Sequence, residues 1–318
     1  MDLIKLILAL APLIPRENTS SSLIKMTEFD GLNGKYIIFG LKSASISSGA
    51  PIAKTSNSKL YVTQLPSGQF GFMKIALETY ENDSIVRESN ILRELQLIAR
   101  EIDNDCQNKG LGKPNYGAFF PKVLETFDAG PKKAMFLGFD ENIESYQQFS
   151  PLSSLTGDQR IDLQTGHWIL GKLLKILAFI HSYGYSLKLI NSSNILLETN
   201  LHGVFILDFS AAQKNIDSLV MSQEISNAAK IVWYATGGTN SESSPHDQDI
   251  MSLEHHHIYL SFLSKLIEGT NYTTGTVIDK LYELSDGIWP KVQKEDGTPG
   301  LKRQFHKFCT YPKIIIKE

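Results

Sequence analysis

The sequence predicts an α+β chain of two lobes, a small β-rich one followed by a larger, mainly helical one. Between Lys35 and Asp140, short apolar runs alternate with turn residues and enclose a single helical stretch. After Gln159 the apolar residues recur at helical spacing, interrupted by one small hairpin at 194–210. No internal repeat is present. The boundaries that follow are an N-terminal extension and linker at 1–34, a first lobe at 35–140 and a second lobe at 141–318.

The extension opens with MDLIKLILALAPLIP, an apolar run broken by Lys5 and closed by Pro12 and Pro15. Spanning a bilayer takes about 20 apolar residues, so the run reads as a short helix docking on the domain. That reading is preferred to a cleaved signal and to membrane contact. Residues 16–34 are polar without a sustained period and read as a linker. Lys35–Leu41 is a strand candidate, 42–58 a long Ser/Gly/Ala loop, and KLYVTQL and FGFMKIALE form a hairpin around a PSGQ turn. Ile85, Ile91, Leu92, Leu95 and Ile98 then mark one helix, with Asp83 or Ser84 as its N-cap. FFPKVLETFDAG and KAMFLGFD are two further strands joined by a Gly-Pro turn.

In the second lobe, Ile169, Leu170, Leu173, Leu174, Leu177 and Ile180 form one helical stripe. NILLE and GVFILDFS follow as short strands across a TNLHG turn. The segment 211–247 is polar and irregular, longer than a passive loop, which makes it either functional or poorly ordered. A helix is expected from about Asp247 to Glu268, and a mostly helical remainder ends in IIIK.

With 42% hydrophobic and 20% charged residues among 318, the composition is that of an ordinary soluble globular protein. A formal charge of -3 supplies no basic field to attract nucleic acid or an anionic membrane. Partners must therefore be recognised locally. The only cysteines, Cys106 and Cys309, are far apart and give no disulfide framework, so a reducing, cytoplasmic setting is expected. Sequons at Asn18, Asn82, Asn191 and Asn271 would matter only in a secreted chain.

Chemistry-bearing residues occur in a telling order. Lys74 lies in the second hairpin strand, Glu88 in the helix after it, Asn194 at the start of a strand, and Asp208-Phe209-Ser210 at the end of the next. This set resembles the protein kinases, whose signatures are a strand Lys, a helix Glu, a catalytic loop ending in Asn, and D-F-G. The resemblance covers about residues 35 to 270 and implies the two-lobed kinase-like fold. It implies that Lys74 contacts ATP phosphates while Glu88 holds it by an ion pair, and that Asn194 and Asp208 are oxygen ligands of Mg²⁺. Ile180-His181-Ser182 and Asp249-Ile250-Met251-Ser252-Leu253 resemble scaffold motifs of the same family, with Asp249 anchoring the catalytic-loop backbone.

The same resemblance exposes what is missing. Counting back from Asn194 in H-R-D-x-x-x-x-N, the signature falls on Leu187, Lys188 and Leu189, so Leu189 occupies the place of the proton-accepting Asp. Lys188 is a poor substitute, because an ordinary lysine, of pKa about 10.4, is protonated at neutral pH. The glycine-rich loop is absent, its place falling on Ser43–Ala50 where only Gly49 lacks a side chain. Ser210 replaces the D-F-G glycine, Asn191 stands where many kinases carry a lysine, and Glu242 is all that remains of A-P-E. Backbone groups near Leu137–Asp140 would meet an adenine.

The expectation is a kinase-like domain with impaired catalysis, a pseudokinase, that takes ATP and Mg²⁺ and acts as a regulatory or scaffolding module toward a protein partner. An active atypical phosphotransferase and a nucleotide-free scaffold are the alternatives. His255, His256 and His257 are adjacent on one helix and point apart, unlike the i, i+4 spacing that converges on a metal. His306 and Cys309 lack a second ligand pair for zinc.

Overall fold

The computed structural model describes residues 23–43, 46–111, 115–139, 149–154, 161–188, 190–198, 203–214, 217–238, 253–269, 271–288, 291–293, 297 and 299–301. The N-terminal apolar run, Asp140, Leu189, Glu242, Asp249, His306 and Cys309 lie outside the described residues. The chain is α+β, with a curled antiparallel sheet first and helices later. It forms two compact units. The first comprises the described residues up to Ser154 together with Ser193–Ala211; the second comprises those of Leu155–Ser192 and those from Ala212 onward.

In the first unit the strands are β1 (Leu23–Gly31), β2 (Gly34–Ser43), β3 (Ile46–Ala50), β4 (Ala53–Lys54), β5 (Ser58–Gln64) and β6 (Phe70–Ala76). Helix α1 (Asn82–Asn108) follows, then β7 (Lys122–Ala129) and β8 (Lys132–Gly138). The main sheet runs β1-β2-β5-β6-β8-β7, with β3 paired to β2 and β4 to β5. The expected hairpin is β5–β6. Its turn closes through Leu65 N–H donating to the Gln69 carbonyl at 2.8 Å, with Gly68 at φ +84° supplying a left-handed corner.

The two ends of the strand order meet because the sheet curls. Phe29 of β1 reaches Phe127 of β7 with ring centroids 4.1 Å apart, and Tyr36 stacks on Phe136 at 3.8 Å. Buried Glu125 of β7 accepts a hydrogen bond from Leu32 N–H at 3.0 Å, tying the β1–β2 turn across. A side chain at Gly31 would crowd that crossing, since its Cβ would lie 2.4 Å from the Glu125 carboxylate and 2.7 Å from the Tyr36 ring. Tyr36, Ile38, Leu65, Met73 and Phe136 fill the inside of the curl.

Three expectations for this unit are corrected. Residues 23–31 are strand rather than linker, because β1 pairs with β2 along its length apart from a bulge between Lys25 and Thr27. Ser43–Ala50 is largely strand rather than an open loop: Leu41 faces Ala50 and Ser43 faces Ile46, so Gly49 sits in β3. α1 begins at Asn82 with Glu81 as N-cap, not Asp83 or Ser84; Ser84 instead receives a hydrogen bond from the Asn57 amide at 2.7 Å.

The first unit is completed by β9 (Phe149–Pro151), β11 (Ile195–Glu198) and β12 (Gly203–Ile206), a three-stranded sheet ordered β12-β11-β9. The second unit holds α2 (Leu163–Ser182), β10 (Tyr185–Ser186), β13 (Gln213–Lys214), α3 (Ser218–Ala235), α4 (Leu253–Glu268) and α5 (Thr274–Ile288). It also holds the hairpin β14 (Lys291–Gln293) and β15 (Pro299–Leu301). α2 packs on α3 and α5, and α3 on α4. Asp162 caps α2 by accepting from Thr165 N–H at 2.8 Å, and its predicted stripe is fully buried. Much of the segment expected to be irregular is α3, capped by Asp217, which accepts from Val220 N–H at 2.8 Å. The described part of the expected 247–268 helix is α4. The remainder is less helical than expected, since β14 and β15 follow α5. Among the described residues, no helix is long and apolar enough to cross a membrane.

Candidate functional site

Strand alternation divides β6 between two environments. Met73 belongs to the inside of the curl, while Phe72 and Lys74 point to the opposite face. On that face α1 presents Glu88, from the same side as Ile85, Leu92 and Leu95, all buried. A charged head 1% exposed needs partners. Lys74 Nζ donates to Glu88 Oε1 at 2.8 Å, to the Leu207 carbonyl at 3.2 Å and to Asp208 Oδ1 at 3.2 Å. An ammonium has three donors, and three acceptors take them.

The Asp208-Phe209-Ser210 segment is fixed by its own backbone groups. Phe209 N–H donates to Glu88 Oε1 at 2.9 Å, Ser210 N–H to Asp208 Oδ1 at 3.0 Å, and Arg87 Nη2 to the Ser210 carbonyl at 2.7 Å. The Phe209 ring is fully buried against Phe120, centroids 6.0 Å apart. Asn194 lies at the near end of the same hairpin: its carbonyl accepts from Leu207 N–H at 2.8 Å, and Ile195 is paired with Ile206. Beside Lys74, Phe72 meets Phe139 edge-on at 5.9 Å, and Phe139 meets Phe205 at 4.5 Å. Thus Lys74, Glu88 and Asp208 touch, Asn194 is adjacent through the hairpin backbone, and all four belong to one unit. Leu189 lies outside the described residues.

Two carboxylates around one ammonium leave a formal charge of minus one in a buried place. Burial pushes the Glu88 carboxyl up to about 7 despite the pull of Lys74. Glu88 Oε2, though 2.8 Å from the ammonium, accepts no hydrogen bond. Burial disfavours the charged forms of Asp208 and Lys74 too, but there the partners prevail. Lys74 and the Ser210 hydroxyl and N–H hold Asp208 below the usual carboxylate range. Glu88 and Asp208 hold Lys74 above the usual ammonium range.

The donor set bears on a metal. Among the described residues, no group of three or more His, Cys, Asp or Glu could hold an ion alone. One carboxylate and one amide oxygen suit Mg²⁺ only when phosphates and water complete its shell, so the residues fit that ion as a companion of a phosphorylated ligand. His256 is buried and His257 exposed, their rings 5.8 Å apart at 88°.

A separate cluster lies in the second unit. Buried His181 of α2 pairs through Nε2 with Glu224 Oε2 of α3 at 2.6 Å and through Nδ1 with Thr274 Oγ1 at 2.7 Å. Glu224 Oε1 accepts from Lys188 N–H at 2.6 Å, holding Lys188 at φ +59° with its side chain in solvent. Glu224 thus anchors the backbone at Lys188; Asp249, of which such anchoring is expected, lies outside the described residues. The sequence reading passed over Glu224 and Arg87. The available signal for Glu224 was a lone acid among Ile225, Ala228 and Val232 on an otherwise apolar stripe. Arg87 carried none beyond its place beside Glu88.

No protein-family model matches the chain, and no curated protein matches it.

Proposed function

We propose that this chain is a protein kinase-like domain with impaired catalysis, a regulatory or scaffolding module toward a protein partner that takes ATP with Mg²⁺. The observation that carries the reading is the meeting of Lys74, Glu88 and Asp208 in one buried cluster, from three elements distant in sequence. Lys74 would bind phosphate oxygens with Glu88 holding it in place, and Asp208 and Asn194 would hold the metal. Mg²⁺, when bound, supplies charge neutralisation on the phosphates. With Leu189 at the position of the proton acceptor, no group at that place removes a proton from a substrate hydroxyl. The test is thermal denaturation with millimolar ATP, with and without Mg²⁺, beside a labelled-phosphate transfer assay. A Mg²⁺-dependent rise in Tm without transfer is the expected result. No shift removes the nucleotide from the reading, and transfer abolished by Asp208→Ala makes the chain an active phosphotransferase.

One observation favours a nucleotide-free scaffold instead: Lys74 already has every donor engaged, beside the packed rings of Phe72, Phe139 and Phe205. On that reading, Lys74→Ala alters neither partner binding nor any response to nucleotide.

A further inference from the structure

Among the described residues, the Lys74 ammonium is the cation that both carboxylates contact, and they differ in how they are held. Glu88 belongs to α1 and sits at 2.8 Å; Asp208 is more distant at 3.2 Å and belongs to the hairpin. The hairpin end is nonetheless pinned, residue by residue. Lys74 holds the Leu207 carbonyl, Glu88 the Phe209 N–H and Arg87 the Ser210 carbonyl. Ser210 in turn gives Asp208 its N–H, and its hydroxyl, which glycine would lack, helps hold the Asp208 carboxyl low. An incoming phosphate oxygen must therefore displace an acceptor from Lys74, and Asp208 is the more distant of its two carboxylates. Displaced alone, it would become a buried carboxylate without a cation, next to a second carboxylate, a costly state. It can leave Lys74 cheaply only for another cation.

We propose that Asp208 is the resident anion of the Lys74 site, an autoinhibitory contact that excludes metal-free phosphate-bearing ligands. This rests on the kinase-like reading and adds a rule to it. Nucleotide enters only when a divalent cation takes over Asp208, and neutralising Asp208 removes the requirement. A residue acting solely as metal ligand behaves oppositely, because its loss can only weaken binding.

The experiment compares the full-length wild type, Asp208→Asn and Lys74→Met/Asp208→Asn in excess EDTA, with ATP and separately with pyrophosphate as probes. Asn is isosteric and leaves the Lys74–Glu88 pair in place, so Asp208→Asn is expected to fold; circular dichroism checks this. The wild type should show no Tm shift. Asp208→Asn should bind both probes at least tenfold more tightly, and the double variant should lose that gain. Equal or weaker metal-free binding by folded Asp208→Asn overturns the proposal, as does metal-free binding by the wild type. If the wild type still responds to ATP with Mg²⁺, the function reading survives that failure. Silence of every protein with and without metal overturns both.

Discussion

Glu88 is the residue whose chemistry is least settled by its neighbours. Its carboxyl is raised to about 7, burial being the largest cause, whereas in the unfolded chain it titrates near 4.5. Between those values the folded protein holds a proton that the unfolded chain has released, so stability falls as pH rises. The contribution is fully present below pH 4.5 and lost by about pH 7. Its size is about 3 kcal/mol, at about 1.36 kcal/mol for each pH unit between the two values. Asp208 acts the other way: its lowered carboxyl loses its contribution only as pH falls below 3.8. Urea unfolding of wild type and Glu88→Gln at pH 4.5 and 7.5 checks this. The wild type should lose stability relative to the variant over that interval, and an unchanged difference would show that Glu88 stays ionised throughout.

At the scale of elements, α3 and β1 show where sequence patterns mislead. β1 is hard to see in the sequence because its bulge between Lys25 and Thr27 breaks the period of two. α3 was hidden because its buried face is built of Ala228, Ala229, Ser226 and Glu224 as much as of Ile225 and Val232. By contrast, α1 and α2 bury large residues at regular spacing and were legible. The polar member of the α3 face has a measurable role. Glu224→Ala deprives His181 and the Lys188 N–H of their buried acceptor, and each orphaned group costs about 1–3 kcal/mol. Chemical denaturation should show a loss of about 2–4 kcal/mol for Glu224→Ala and markedly less for Glu224→Gln, which keeps an acceptor oxygen. Equal losses would mean that charge, not acceptance, is what α3 contributes.

Taken as a whole, the molecule shows which part of a site a one-dimensional reading can find. Lys74, Glu88 and Asp208 were legible because each sits at a fixed place in a strand, a helix or a strand end. The saturation of Lys74 was not, because it depends on the Leu207 carbonyl and on the Asp208 carboxylate that the Ser210 N–H helps to hold. If the chain is the kinase-like domain proposed above, that difference decides what placing an acid at residue 189 should do. A positioned general base contributes about 10²–10⁴ in rate, but only to a phosphate already held in line. On the proposed reading, the place of the glycine-rich loop falls on paired strand, and only residues 211–217 separate Ser210 from α3, leaving little chain for a substrate-docking segment. Leu189→Asp should therefore leave labelled phosphate transfer at background, with ATP and Mg²⁺ supplied in excess. A rise of a hundredfold or more that disappears on adding Asp208→Ala would mean that phosphate positioning is intact and that impairment resides in the proton acceptor alone.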